Sequence, residues 1–168
     1  MRFLRLSGWL GLVVLSLVAA GCGSGSSKKK NYPVTVARFM MESSTSEVGS
    51  LIRLPVSGST ISVLPKTYFT EYDILKCEVV DNELGKCLYF QFTEQAARDL
   101  YRLTASNQGR RLITTVNGTA IGAVRFDRPI SQGFVITYVE APGEDLALMA
   151  KNIGLTSDDA RKEAAKKF

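Results

Sequence analysis

The chain has 168 residues, 45 % of them hydrophobic and 22 % charged, with 21 basic and 16 acidic side chains, three cysteines and no histidine. Such a length supports one modest core rather than two. The lack of histidine removes the usual general base, the Ser–His pairing and the commonest metal ligand together.

Residues 1–21 have the three parts of an export signal. Arg2 and Arg5 come without an acid, residues 9–20 form an apolar run broken by Gly11 and Ser16, and small residues follow. A bilayer core of about 30 Å needs roughly 20 apolar residues in a helix, so the run is too short for an ordinary span. Val18-Ala19-Ala20-Gly21-Cys22 resembles the lipobox of bacterial lipoproteins, with Ala19 where that family usually has leucine. The resemblance implies removal of 1–21 and acylation of Cys22, which makes the membrane a partner through lipid. Cleavage leaves 19 basic and 16 acidic side chains, so the mature domain is only mildly basic. Residues 22–31 read as a flexible tether, Gly/Ser-rich and carrying Lys28, Lys29 and Lys30. These lysines favour anionic headgroups. Gly23 lacks the aspartate of an inner-membrane retention signal, so the expected address is the cell envelope, periplasm-facing, at the outer membrane.

From Tyr32 the pattern turns to alternating strands. Residues 33–40 alternate through Val34, Val36 and Phe39, residues 50–56 alternate Leu51 or Ile52 with Leu54, and residues 61–64 form a short strand ended by Pro65. Cys77 and Cys87 flank a turn-rich stretch, 81–85, which reads as a hairpin connection. In an oxidising compartment, the expected outcome is a structural disulfide across the paired strands. Residues 88–92 are an aromatic strand, and Thr93 is an N-cap for a helix over 94–106 whose apolar stripe is Ala97, Leu100, Tyr101 and Thr104. Asn107 and Gly109 stop it. Two strand patterns, 112–116 and 119–124, are joined by Asn117-Gly118, the strongest turn signal in the chain, because a type I′ turn needs positive φ at both positions. A strand over 134–139 precedes a second helix over 144–153, with Leu146, Met149, Ala150 and Ile153 inward and Gly154 ending it. Residues 155–168 read as a polar, frayed tail.

The run Thr70-Glu71-Tyr72-Asp73-Ile74, then Phe92-Thr93, Leu103-Thr104, Asn107-Gln108-Gly109-Arg110-Arg111-Leu112, Asn117-Gly118, Pro129-Ile130 and Gly133 resembles the periplasmic P1 head subdomain of SecD, over residues 60–154. One extra arginine between Gly109 and Leu112 departs from that pattern. The expected fold is α+β, an antiparallel sheet with two helices on one face, ferredoxin-like, over 32–154, with a β-rich N-terminal extension. The resemblance implies contact with exported polypeptides or Sec translocase components. The sheet-side residues Ile113 and Ile121 are the candidate contact positions. No apolar run of 18 or more follows Cys22, so the chain lacks the spans that couple that family's head to proton flow.

Other chemistry has weak support. Arg110, Arg111, Arg125 and Arg128 have no aromatic stacking platform beside them and read as a solvated sheet edge, so no nucleic acid is expected. Asp73, Asp81, Glu83, Glu94 and Asp99 fall on turns and a polar helix face. Gly118, Gly122 and Gly133 make no phosphate loop. Tyr101 and Tyr138 read as core or sheet-face residues. The expectation is a non-catalytic binding module without metal, cofactor or small-molecule substrate. The alternative is a general envelope assembly or scaffold lipoprotein unrelated to export.

Overall fold

The computed structural model describes residues 30–83 and 85–166. The expected signal segment, Cys22 and most of the expected tether lie outside the described residues. The residues from Asn31 onward form one compact unit. Its elements, in order, are β1 (Ala37–Glu42), β2 (Ser50–Arg53), β3 (Thr60–Phe69), β4 (Ile74–Asn82), β5 (Gly85–Phe92), α1 (Glu94–Ser106), β6 (Arg111–Val116), β7 (Thr119–Arg125), β8 (Phe134–Tyr138) and α2 (Leu146–Ala165).

The fold is α+β with antiparallel pairing throughout, but the strands divide into two sheets, ordered β2-β3-β1-β6-β7 and β4-β5-β8. This corrects the expectation of one ferredoxin-like sheet, since β5 and β6, joined by α1, belong to different sheets. It also corrects the N-terminal extension: β1 is the middle strand of the larger sheet, paired with β3 on one side and β6 on the other. The sheets meet where β7 passes β8, and Gly122 permits that approach. A Cβ there would stand 2.3 Å from the Tyr138 carbonyl oxygen. The buried hydroxyls of Thr114 and Thr137 hydrogen-bond across the same seam at 2.9 Å. Just beyond it, the Glu140 N–H donates to the Ile121 carbonyl at 2.6 Å.

The main core lies between the sheets and takes side chains from both helices. Phe39 of β1 stands edge-on to Phe90 and Phe92 of β5, with ring centroids 5.1 Å apart in each case. Ala96 and Leu100 of α1 and Ala150 and Ile153 of α2 complete it. A second, smaller cluster of Leu54, Ile61, Val63, Ile113 and Ala120 lies among β3, β6, β7 and the residue after β2, so the larger sheet curls around its own apolar face.

Local signals hold where they are strong. Thr93 caps α1, its hydroxyl accepting from the Ala96 N–H, and Asn117 and Gly118 take φ of 49° and 84° in the β6–β7 turn. The buried stripe of α1, however, is Ala96, Leu100 and Thr104, while Tyr101 is half exposed. The helix is therefore rotated from the expected stripe. Thr104 explains part of this: its hydroxyl donates to Leu100 O at 2.8 Å and accepts from the Ile130 N–H at 2.9 Å, pinning the β7–β8 loop.

Pro65 does not end β3. It lies where the β1–β3 register slips between Val63 and Thr67, beyond the reach of β2, so its missing N–H breaks no ladder. Likewise α2 runs through Gly154 to Ala165 as one helix, capped by Asp145. The stretch read as a frayed tail is held by tertiary bonds. The Thr35 N–H donates to Thr156 Oγ1 at 3.0 Å, Tyr32 Oη donates to Asp159 and to Leu155 O, and Arg161 reaches Asp158 and Leu75 O.

Candidate functional site

Cys77 and Cys87 do not pair, which corrects the expected disulfide. The β4–β5 register sets Cys77 opposite Phe90 and Cys87 opposite Val80. Three rungs separate the thiols, about 10 Å along the strands, beyond the roughly 7 Å Cα limit for a bridge. The odd offset also turns them to opposite sheet faces. Burial, helped by the Glu78 charge, pushes the Cys77 thiol up to about 12; burial and then Asp81 raise Cys87. Both thiols therefore stay protonated and inert near neutral pH. In the native protein at pH 8, a maleimide is expected to label neither within the time in which both react in denaturant. Rapid native labelling of Cys77 would contradict this packing.

The candidate contact positions Ile113 and Ile121 are also corrected. Both are buried, Ile113 in the smaller cluster and Ile121 in the main core. The curl of the larger sheet covers one, and the approach of β8 covers the other. Ile113 is closed off, and Ile121 keeps only a trace of exposure, at the floor of a cleft.

One exposed apolar surface lies at the edge formed by β2. Its outer side has no strand partner among the described residues. Leu51 is 75 % exposed, and Val48 and Val56 at the two ends are 91 % and 64 % exposed. Arg53 is the single charge in the strand. Pairing with Ile61 turns Ile52 inward, and Leu54 follows it, which leaves Leu51 pointing out. The alternation with Leu54 already selects Ile52 over Leu51, and that parity was the signal in the sequence.

Both ends of the edge are pinned. At one, Val56 and Ser57 donate their N–H groups to the Glu140 carboxylate at 3.1 and 2.7 Å. Partial burial opposes ionisation, yet donation from Ser57 and Val56 holds Glu140 below the usual carboxylate range. At the other, Glu47 accepts from the Ser44 N–H at 2.7 Å and from Arg110 at 2.8 Å. Hydrogen bonds from Ser44 chiefly, then Arg110, lower its pKa as well. A depressed carboxylate stabilises the fold fully above its unfolded pKa of about 4.3, and that contribution disappears as pH falls through the lower folded value. The pins are therefore constant from about pH 5 to 8 and open below about pH 4. Amide exchange at Val56 and Ser57, corrected for intrinsic rates, is expected to rise only in that acid range; equal opening at pH 6 would refute the assignment.

Beside the β2 turn lies a cleft of about 540 Å³. Pro33, Pro55, Val116, Ile121, Leu148 and Met149 supply its apolar lining, with the carboxylates of Glu140, Glu144 and Asp145 also facing it and no lysine or arginine. Pro55 joins it to the β2 edge. A row of backbone donors and acceptors, an outward leucine and an adjoining apolar cleft suit an extended peptide that adds as a strand and seats a side chain. Of the acids noted in the sequence, Asp81 and Glu83 are exposed at the β4–β5 turn and the others have local partners. Asp73 accepts from Thr70, Glu94 pairs with Arg98, and Asp99 pairs with Arg102. The arginines Arg110, Arg111 and Arg125 pair with Glu47, Glu42 and Asp127. Among the described residues, no group of three His, Cys, Asp or Glu could hold a metal ion, and no helix is long and apolar enough to cross a membrane.

No protein-family model matches the chain, and no curated protein matches it. Solved structures do. One, described as a membrane component SecDF that enhances protein export, aligns with a TM-score of 0.52 and 18 % identity over 73 % of this chain and 61 % of that one. SecDF in a super-membrane-facing form aligns with a TM-score of 0.55 and 17 % identity over 73 % of this chain and 19 % of that one. The domain thus has a SecDF-like fold, and the chain spans less than two thirds of either structure's length.

Proposed function

We propose, from a SecDF-like fold that presents an open strand edge, that this chain is a non-catalytic, lipid-anchored module of the bacterial envelope that receives extended segments of exported polypeptides or of the export machinery. The observation that carries the reading is the β2 edge, unpaired and flanked by exposed Val48, Leu51 and Val56. An edge of this kind invites pairing, and proteins usually blunt it with charge, proline or a cover. Here β2 is short, with Arg53 at its end and Pro55 just beyond, yet its outer side stays open, is held in place by Glu47 and Glu140 and continues into an apolar cleft.

Anchoring rests on the lipobox-like stretch ending at Cys22 and on the Gly/Ser/Lys tether. More than one acyl chain is needed for stable attachment, at about 0.8 kcal/mol per buried methylene. We place the domain on the periplasmic side, at the outer membrane, because Gly23 follows the cysteine. Labelled palmitate should enter the wild type and not a Cys22→Ser variant.

The functional test is crosslinking in intact cells from a photoreactive residue at position 51, with the same residue at the buried position 113 as the silent control. Capture of translocase subunits or nascent secreted chains from position 51 is the expected result. Capture of resident envelope proteins alone would overturn the export role and leave the scaffold reading, with SecDF as shared fold only.

A further inference from the structure

The leading segment of the domain is fastened to α2. Tyr32 Oη donates to Asp159 and to the Leu155 carbonyl, and the Thr35 N–H donates to Thr156 Oγ1. Whatever pulls on Tyr32 therefore pulls on the second half of α2. Nine residues separate Cys22 from Tyr32. They reach about 30 Å at full extension and about 17 Å as a Gly/Ser-rich coil. If Cys22 carries lipid, the domain, α2 included, stays within that reach of the bilayer.

The exposed face of that helix matches such a neighbour. Its buried residues are Ala150, Asn152, Ile153, Thr156 and Ser157. At 100° per residue, the opposite face carries Leu148, Lys151, Leu155, Lys162 and, at the cap, Lys166, all exposed. Leu148, 51 % exposed, stands at the rim of the cleft described above, and Leu155, 37 % exposed, lies two turns further along the helix, away from the cleft. Of the acids on this half of the helix, Asp158 pairs with Arg161 and Asp159 accepts from Tyr32, while Glu163 is exposed beside Lys162. In the leading segment itself, Val34 is half exposed. A helix face that combines leucines with lysines suits the headgroup region of an anionic bilayer, where the apolar groups enter and the cations meet phosphate.

We infer that the outward face of α2, from Leu148 to Lys166, rests on an anionic lipid surface and fixes the orientation of the tethered domain. This deepens the anchored reading above and rests on it. The acyl chains then hold the protein and the helix face sets its attitude.

The test uses the acylated full-length mature protein, purified from cells and reconstituted in vesicles of phosphatidylglycerol and phosphatidylcholine. An environment-sensitive fluorescent residue is placed at 148, 155 or, as a control, 101 on the exposed face of α1. A shallow lipid-borne quencher is expected to remove about half of the emission from 148 and 155 and little from 101. In pure phosphatidylcholine, or with Lys151→Glu, Lys162→Glu and Lys166→Glu combined, the quenching at 148 and 155 should be lost. These lysines are exposed, so the variant should keep its melting temperature. Mass spectrometry of the N-terminal peptide reads the anchor separately. An unmodified Cys22 removes both readings. An acylated Cys22 with unquenched probes, equal quenching at all three positions, or quenching that depends on a second copy of the chain removes the α2 contact alone.

Discussion

Replacing Gly122 with valine is expected to lower the melting temperature by about 10 °C and to free the β2 turn. The reason is steric and local. A Cβ at 122 would stand 2.3 Å from the Tyr138 carbonyl oxygen and 2.5 Å from Thr137 Cγ2, and neither atom is the far end of a flexible side chain. Tyr138 and Thr137 are laddered to β5, so β8 cannot retreat alone. Forced separation of the two sheets breaks the buried Thr114–Thr137 hydrogen bond and the Glu140–Ile121 backbone bond. Overpacking of this kind costs about 3 kcal/mol, which corresponds to about 10 °C in a domain of this size. Glu140 moves with β8, so Val56 and Ser57 lose their acceptor. Thermal melting reads the first effect, and amide exchange at Ser57 reads the second. Gly154→Ala is the control of opposite sign, because nothing stands within 4 Å of a Cβ there and alanine is better than glycine inside a helix by about 0.5–1 kcal/mol. A Gly122→Val protein that melts with the wild type would remove the close approach from the account.

Phe39→Ala is expected to cost about 3–5 kcal/mol in denaturant unfolding, with an unchanged slope. Phe39 is fully buried on the central strand of the larger sheet and touches Phe69, Phe90 and Phe92, so one ring ties the two sheets together. Removing it leaves a cavity that neighbours from two sheets cannot close together. For a domain with a total stability of about 10 kcal/mol, this is a large fraction. Leu51→Ala should instead fall within about 0.5 kcal/mol of wild type, since its side chain is mostly in water. The two variants separate folding from function. A loss of in-cell capture in a variant as stable as wild type points to the β2 edge itself, whereas equal destabilisation by both substitutions would show that Leu51 belongs to the core.

Signals confined to a few adjacent residues were legible. Thr93 before a helix pattern and Asn117-Gly118 between two strand patterns each specify backbone geometry by themselves, and each appears where expected. Readings that needed a partner strand or helix went astray. The spacing of Cys77 and Cys87 fits a hairpin, but only the register, with Asn82 opposite Gly85, shows that the thiols miss each other. The rotation of α1 depends on Thr104 reaching Ile130, 26 residues further on. Gly154 looked like a helix stop because the residues that hold the helix beyond it, Tyr32 at Leu155 and Asp159 and Thr35 at Thr156, lie more than a hundred residues earlier.

The same division applies to the candidate site. Alternation places Ile113 and Ile121 on strands without saying how many layers cover them, and burial is a property of what packs above. The amino-acid order by itself determined the α+β class and the positions of the tight turns, because these depend on local dihedral preference and on hydrophobic period, and the order of its motifs carried the resemblance to SecD. Tertiary structure decided the division into two sheets, the closure over Ile113 and Ile121, the separation of the thiols and the exposure of Leu51 beside Pro55. Those outcomes follow from register and close packing, in which each residue's environment is set by chain segments far from it in sequence.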